Sequence, residues 1–283
     1  MHQAELTNQQ FEDFRSLISD RLGIKMPPAK RTMLQSRLLR RAHELGLQNV
    51  QAYHSRFFSD PNEQQEELEH LLNLATTNKT DFFREPDHFD FLAQQALPAW
   101  RARSPGGPFK VWCAGCATGE EAYTLAMVLK EQQARGVFEF SILATDVSTR
   151  VLQKAMDATY DEEHALPIPV PLRKKYLLRG RKDSDGLVKI APEVRQHVRF
   201  GHLNFLSPHY GIREKFDVIF FRNVMIYFDR PTQREIVGKM CQLMPLGGWL
   251  FTAHAETLHG LDLPIDPVAA AVYVRTKGAP SVA

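Results

Sequence analysis

No stretch of the sequence approaches the ~20 consecutive apolar residues that a membrane-spanning helix needs. Its opening, Met1 to Gln10, is polar where a secretory signal would carry an apolar segment. A cytoplasmic chain without membrane insertion is expected. Cysteine is scarce: Cys113, Cys116 and Cys241 cannot build a disulfide framework, and an odd count would strand a thiol in an oxidising compartment. An excess of one charge is missing as well. With 35 Lys plus Arg against 33 Asp plus Glu the formal net charge is +2, so the molecule as a whole is not built electrostatically for nucleic acid. What remains is ordinary globular composition, 43% hydrophobic over 283 residues, enough for one large domain or two in sequence.

From Thr7 to about Leu74 apolar residues recur at three and four: Phe11, Phe14, Leu17 and Ile18, then Leu34, Leu38, Ala42 and Leu45, then Leu68, Leu71, Leu72 and Leu74. This spacing predicts several short helices. Thr7 with Gln10 reads as a capping box, and Pro27-Pro28 breaks the chain before a helix that starts near Ala29 or Lys30. Beyond Pro105-Gly106-Gly107-Pro108 short apolar runs alternate with helical stretches, the signature of a parallel sheet covered by helices. The runs are Phe109 to Trp112, Phe140 to Ala144, Val218 to Phe221 and Trp249 to Thr252. Glu120 to Gln133 and Pro231 to Met244 are the helices between them, the first presenting Ala122, Leu125, Ala126 and Leu129 on one face. Residues 157–200 break the rhythm. They are rich in Pro and charge, with Leu187–Ile190 and His197–Phe200 alternating like half-buried strands around an Asp185-Gly186 turn signal, and they are expected to form a small antiparallel insertion.

The sharpest feature is Val111 to Glu121, a strand that runs into a turn with Gly115 and Gly119 and then into a helix. Such a turn lets a ligand approach the backbone at the carboxyl end of the first strand. Glu120 and Glu121 on the first helical turn would repel a pyrophosphate and suit a cationic ligand such as S-adenosylmethionine, although acidic residues also favour a helix N-terminus on their own account. Asp146 closes the second strand, 27 residues after Gly119, where an acidic side chain accepts ribose hydroxyls; capping the next helix alongside Ser148 is the alternative. Cys113 and Cys116 form a Cys-x-x-Cys, but no second pair with ligand spacing accompanies it, so redox chemistry and a metal are not expected.

Four motifs in order resemble the CheR family, the chemotaxis-receptor glutamate O-methyltransferases. They are Thr77-Asn-Lys-Thr-Asp-Phe-Phe-Arg-Glu85, Val111 to Glu121, Ala144-Thr-Asp146 and Phe221-Arg-Asn-Val-Met-Ile-Tyr-Phe-Asp229. The resemblance implies an α/β, Rossmann-like S-adenosylmethionine methyltransferase domain over residues 78–283. It also implies an inserted antiparallel β-subdomain at about 157–200, and a small all-α receptor-recognition domain over residues 1–77. It places the cofactor, which leaves as S-adenosylhomocysteine, against Asn78, Thr80, Arg84, Gly115, Glu121, Asp146, Asn204, Phe205, Arg222 and Asn223. Its catalytic pair falls on Arg84 and Tyr227. The sequence departs from the family's pattern at Ala122, Phe221 and Ala253-His254-Ala255-Glu256, the last with loss of a hydroxyl.

The nucleophile decides what a methyl transfer needs. A glutamate side chain with a reference pKa of ~4.3 is ionised at neutral pH and requires no general base. The segment Arg222 to Tyr227 lacks the Asn/Asp-Pro-Pro-Tyr element that serves planar amine nitrogens. Arg84 is suited to hold a carboxylate and Tyr227 to hydrogen-bond near it; a surface ion pair with Glu85 or Asp87, and a core aromatic, are the ordinary alternatives. From Arg21 to Arg41 the chain carries Lys25, Lys30, Arg31, Arg37 and Arg40 as well, with no Asp or Glu. Lys30, Arg31, Arg37, Arg40 and Arg41 are the expected recognition residues for an acidic helical partner, the cytoplasmic domain of a methyl-accepting chemoreceptor. The expected protein is a monomer that binds no nucleic acid. A nucleic-acid methyltransferase and a non-catalytic, cofactor-sensing scaffold are the alternatives.

Overall fold

The computed structural model describes residues 5–103, 107–181 and 184–276. Pro105-Gly106, where the texture of the sequence changes, lies outside the described residues. The chain forms two compact units, Met1–Thr77 with Tyr227–Asp229, and Asn78–Ile226 with Arg230–Ala283. Among the described residues no helix is long and apolar enough to cross a membrane.

The first unit is built from α1 (Asn8–Leu22), α2 (Arg31–Glu44), α3 (Val50–Ser59) and α4 (Pro61–Ala75). The Thr7–Gln10 capping box forms in both directions, and Gly23 closes α1 at φ 67° with its N–H on the Ser19 carbonyl. A 3₁₀ turn over Pro28–Lys30 leads into α2. Phe14, from the first apolar stripe, is fully buried with its ring 5.2–6.1 Å from those of Tyr53, His54, Phe57 and Phe58 on α3, a helix that none of the stripes named above covers. Aromatic pairs at this separation add to the burial of the rings.

In the second unit α5 (Asp87–Phe91), a π-helical turn (Leu92–Ala96) and α6 (Leu97–Arg103) precede the sheet. Its strands are β1 (Phe109–Ala114), β2 (Phe140–Asp146), β6 (Val198–His202), β7 (Val218–Phe220), β8 (Trp249–Phe251), β9 (Ile265–Ala269) and β10 (Val272–Arg275). The order is β6-β2-β1-β7-β8-β10-β9, parallel from β6 to β8, with β10 antiparallel to both β8 and β9. The order reverses between β1 and β7, the position at which open α/β sheets bind ligands outside their carboxyl ends. Helix α7 (Glu120–Gln133) has the predicted bounds but buries Tyr123, Thr124 and Met127 as well as the expected face. The sheet lies on one side of it and the π-helical turn and α10 (Pro192–Arg195) lie on others. Helices α8 (Thr149–Asp157) and α11 (Arg230–Gln242) complete the layers.

The insertion is smaller than the sequence suggests. A three-stranded antiparallel sheet joins β3 (Thr159–Asp161), β5 (Leu187–Ile190) and β4 (Leu177–Arg179), with α9 (Val170–Tyr176) before β4. His197–Phe200, read as part of this subdomain, instead falls on β6 (Val198–His202), which pairs in parallel with β2 as an edge strand of the main sheet. Its solvent-facing edge gives it the alternation of a half-covered strand, which mimics an antiparallel ribbon.

Candidate active site

The carboxyl ends of β1, β2, β7 and β8 converge on four short segments, and each contains a non-glycine residue with positive φ or its anchor. Phe83 (53°), Glu85 (55°), Ala117 (46°) and Asn223 (60°) all adopt this left-handed conformation. Side chains cost free energy there, of order 1–3 kcal/mol each, and persist only where surroundings fix them. Here each is fixed by a side-chain hydrogen bond. The Phe83 N–H donates to Thr124 Oγ1 at 3.2 Å, and the Thr124 hydroxyl donates to the Glu120 carbonyl at 2.7 Å, tying the segment to α7. Ala117 N–H donates to Asp146 Oδ2 at 2.9 Å. Asn223 N–H donates to Glu256 Oε2 at 2.9 Å. Glu85 Oε2 accepts from His254 N–H at 3.3 Å and lies 3.2 Å from Arg222 Nη2.

Arg222 is the hub. Its side chain is fully buried, stacked over the rings of Phe89 and Phe220 at 5.6 and 5.8 Å, with Nη1 3.1 Å from Glu121 Oε2 and Nη2 donating to the Arg84 carbonyl at 2.5 Å. The Glu121 contact is an ion pair at that distance without hydrogen-bond alignment, so Nη1 and Nε keep donor capacity inside the protein. Burial pushes the Glu121 carboxyl above its usual range, and Arg222 and a hydrogen bond from Cys113 Sγ partly offset this. Glu256 is buried beneath the loops after β7 and β8. It accepts N–H groups of Asn223, Ile226 and Ala253, so the departing Ala253–Glu256 segment keeps the carboxylate that shapes the site.

The glycine loop is held equally tightly. Gly115 and Cys116 both donate N–H to the Thr145 carbonyl, Ala117 to Asp146, and Gly119 to the Cys116 carbonyl. These donors are spent within the chain, and Glu120, buried, accepts from Thr118 Oγ1 and contacts His164 Nε2 at 2.8 Å. The loop therefore offers a phosphate few bare N–H groups and two carboxylates, which disfavours a dinucleotide. A Cβ on Gly115, at φ 86°, would meet Val224 Cγ2 at 2.5 Å, so the loops after β1 and β7 touch at the switch point.

The structure thus brings together Arg84, Gly115, Glu121, Asp146, Arg222 and Asn223. Asp146 takes both roles read for it, since Oδ1 accepts the Ser148 N–H while Oδ2 fixes Ala117; burial pushes its carboxyl up and these donors pull it back. Glu85 and Asp87, read as alternative partners of Arg84, are instead engaged by Arg222 and His254. Asn204 turns its own loop by accepting the Leu206 N–H, and Phe205 packs 5.1 Å from the Phe221 ring. Asn78 and Thr80 are half-buried. Cys113 and Cys116 are buried thiols that burial pushes well above their ordinary pKa. Sequence reasoning missed Thr124 and Glu256, whose roles depend on backbone donors far away along the chain.

Tyr227 groups with the helical unit. Its ring is half-exposed, not a core aromatic, its hydroxyl donates to the Thr77 carbonyl at 3.3 Å, and the Lys30 ammonium lies 5.0 Å over its ring. In the same unit the basic stretch is largely engaged. Arg41 pairs with Glu67 at 2.6 and 2.9 Å, Arg37 donates to the Leu74 and Thr76 carbonyls at the end of α4, and Arg31 donates to the Leu6 carbonyl and Asn8. Arg40 is exposed.

These features agree with what the chain is similar to. Residues 9–76 match the all-alpha domain of CheR methyltransferases and residues 78–274 match their S-adenosylmethionine (SAM) binding domain. The chemotaxis protein methyltransferase of Escherichia coli is 36% identical over 96% of this chain and 92% of that relative. Chemotaxis protein methyltransferase 2 of Pseudomonas aeruginosa is 35% identical over 94% and 93%. The Borreliella burgdorferi enzyme is 33% identical over 90% of each. With both domains matched in order, and a carboxylate-lined switch point in the second, the chain belongs to the CheR methyltransferase family and is a SAM-dependent methyltransferase of chemotaxis.

Proposed function

We propose that this chain methylates glutamate side-chain carboxylates on the cytoplasmic helices of chemoreceptors. The observation that carries the reading is the buried Arg222 with its carboxylate partners, beside the half-buried Arg84. Such a site positions ions, which is what an already ionised carboxylate nucleophile needs.

S-adenosylmethionine, when bound, supplies a methyl group on a sulfonium leaving group. The donor set fits it: Glu121 and Asp146 are carboxylates suited to a cationic amino-acid moiety and to ribose hydroxyls, and the slim Gly115 admits close approach. Asn78, Thr80, Asn204, Phe205 and Asn223 are the further proposed contacts. Arg222 holds Glu121 and the Arg84 backbone in place. Arg84 is proposed to orient the substrate carboxylate through its guanidinium, and Tyr227 to hydrogen-bond at the reacting groups. Fixed orientation of this kind accounts for much of the acceleration in a displacement that needs no proton transfer.

The helical unit, 1–77, is the proposed receptor-recognition domain of a cytoplasmic, monomeric enzyme. Because Arg31, Arg37 and Arg41 serve the unit's own packing, recognition rests on Lys30 and Arg40 with Arg21 and Lys25 beside them. The same commitments leave α2 with fewer guanidinium groups to offer a phosphate backbone. Transfer of label from SAM to a receptor cytoplasmic fragment tests the reading. Label is expected on the fragment and not on RNA or DNA, and it should vanish when the accepting glutamates are replaced by glutamine. Label on nucleic acid, or on the glutamine fragment, refutes the reading.

A further inference from the structure

Beside the proposed site lies a buried histidine that methyl transfer does not use. His88 is 1% exposed, and neither of its ring nitrogens has a hydrogen-bond partner. A buried imidazole that leaves both nitrogens unsatisfied costs free energy unless something binds it. Its Nδ1 lies 3.5 Å from Glu85 Oε2, and its ring stands edge-on to His254 with centroids 4.7 Å apart. One ligand atom from each of Glu85, His88 and His254 falls within 4.8 Å of the others.

Tetrahedral zinc with bonds of about 2.0–2.2 Å places its ligand atoms about 3.3–3.5 Å apart. The Glu85–His88 pair already has that separation. His254 has a side chain 44% exposed, so its ring can close the remaining gap, and it opens the group to solvent as an entry path. Asp87 Oδ2 lies 3.0 Å from His254 Nε2, in the position from which an outer carboxylate orients a ligating imidazole. The backbone helps as well: the left-handed turn at Glu85 brings residues 85 and 88 to one point, and the His254 N–H holds the Glu85 carboxylate there.

We propose that Glu85, His88 and His254 bind one zinc-class divalent ion through a carboxylate oxygen and two imidazole nitrogens, with water completing the coordination. Two imidazoles and one carboxylate suit zinc and its first-row neighbours, not calcium or magnesium, which take oxygen ligands. Bound there, the ion ties the segment after Arg84 to the loop after β8.

The test uses the full chain, stripped with chelator and titrated with zinc chloride by calorimetry and with cobalt(II) by visible absorption. One ion per chain is expected, with a cobalt spectrum of nitrogen and oxygen ligands that lacks a thiolate charge-transfer band, which keeps Cys113 and Cys116 out of the assignment. His254→Ala, at an exposed position, should weaken zinc binding tenfold or more and remove the rise in melting temperature that zinc gives the unaltered chain. Glu85→Gln should weaken it similarly. No saturable binding, binding unchanged in His254→Ala, or a thiolate band would overturn the proposal.

Discussion

Glu256 Oε2 accepts the N–H of Asn223 at 2.9 Å, and through it the loop after β8 holds a left-handed residue in the loop after β7. The same carboxylate accepts the N–H groups of Ala253 and Ile226, so one buried side chain shapes both loops. Glu256→Ala leaves these donors without their acceptor and is expected to cost about 2–3 kcal/mol of stability. Glu256→Gln keeps one amide oxygen and should cost less. Urea unfolding measures the stability and calorimetry measures SAM affinity, which should fall in the order wild type, Gln, Ala. Equal affinity in all three would remove Glu256 from the organisation of the site.

At the switch point, a methyl group on Gly115 would overlap Val224 Cγ2 at 2.5 Å, and φ of 86° strains any side chain there. Gly115→Ala should therefore weaken SAM at least tenfold. Val224→Ala added to it relieves the overlap but not the backbone strain, so the double variant should recover affinity only in part. Complete recovery would show that the overlap alone matters.

Glu67 illustrates a pH effect in the helical unit. Burial alone would push its carboxyl up, but the hydrogen bonds and charge of Arg41 outweigh this and hold it below its usual value. A carboxyl depressed by folding contributes stability above its unfolded value of ~4.3, and that contribution disappears as pH falls through the folded value. Glu67→Gln should cost about 2–3 kcal/mol at pH 7, and the gap between variant and wild type should narrow as pH falls below about 4.3. Denaturant midpoints across pH check this. A gap that does not change with pH would mean that packing alone is lost.

The thiols yield a simpler expectation. Burial pushes Cys113 and Cys116 well above the ordinary range and Cys241 up to about 12. None should react with a thiol-specific disulfide reagent at pH 8 in the native chain, and all three should react in denaturant. Rapid native labelling of Cys113 or Cys116 would contradict the packed strand end described for β1.

The local signals were legible where chemistry was local. The Thr7–Gln10 box and the bounds of α7 follow from residues within one turn, and the glycine loop with Asp146 follows from strand ends. The misread parts depend on distant partners. Arg41 reads as a recognition charge until Glu67, on another helix, closes on it. His197–Phe200 reads as part of the insertion because its alternation does not show that its strand partner is β2. Glu85, His88 and His254 look unrelated in sequence, since the left-handed turn and the loop after β8 assemble them. The expectation of no metal rests on ligand spacing along the chain, which does not register residues as far apart as His88 and His254.

The proposed methyl acceptor is a glutamate carboxylate. This is tested most directly by incubating the chain with methyl-labelled SAM and a receptor cytoplasmic fragment and mapping the product by mass spectrometry before and after mild base. One added methyl is expected on specific glutamates, released as methanol by base and absent with Arg84→Ala enzyme. A base-stable methyl, on nitrogen or on any residue other than glutamate, would contradict it.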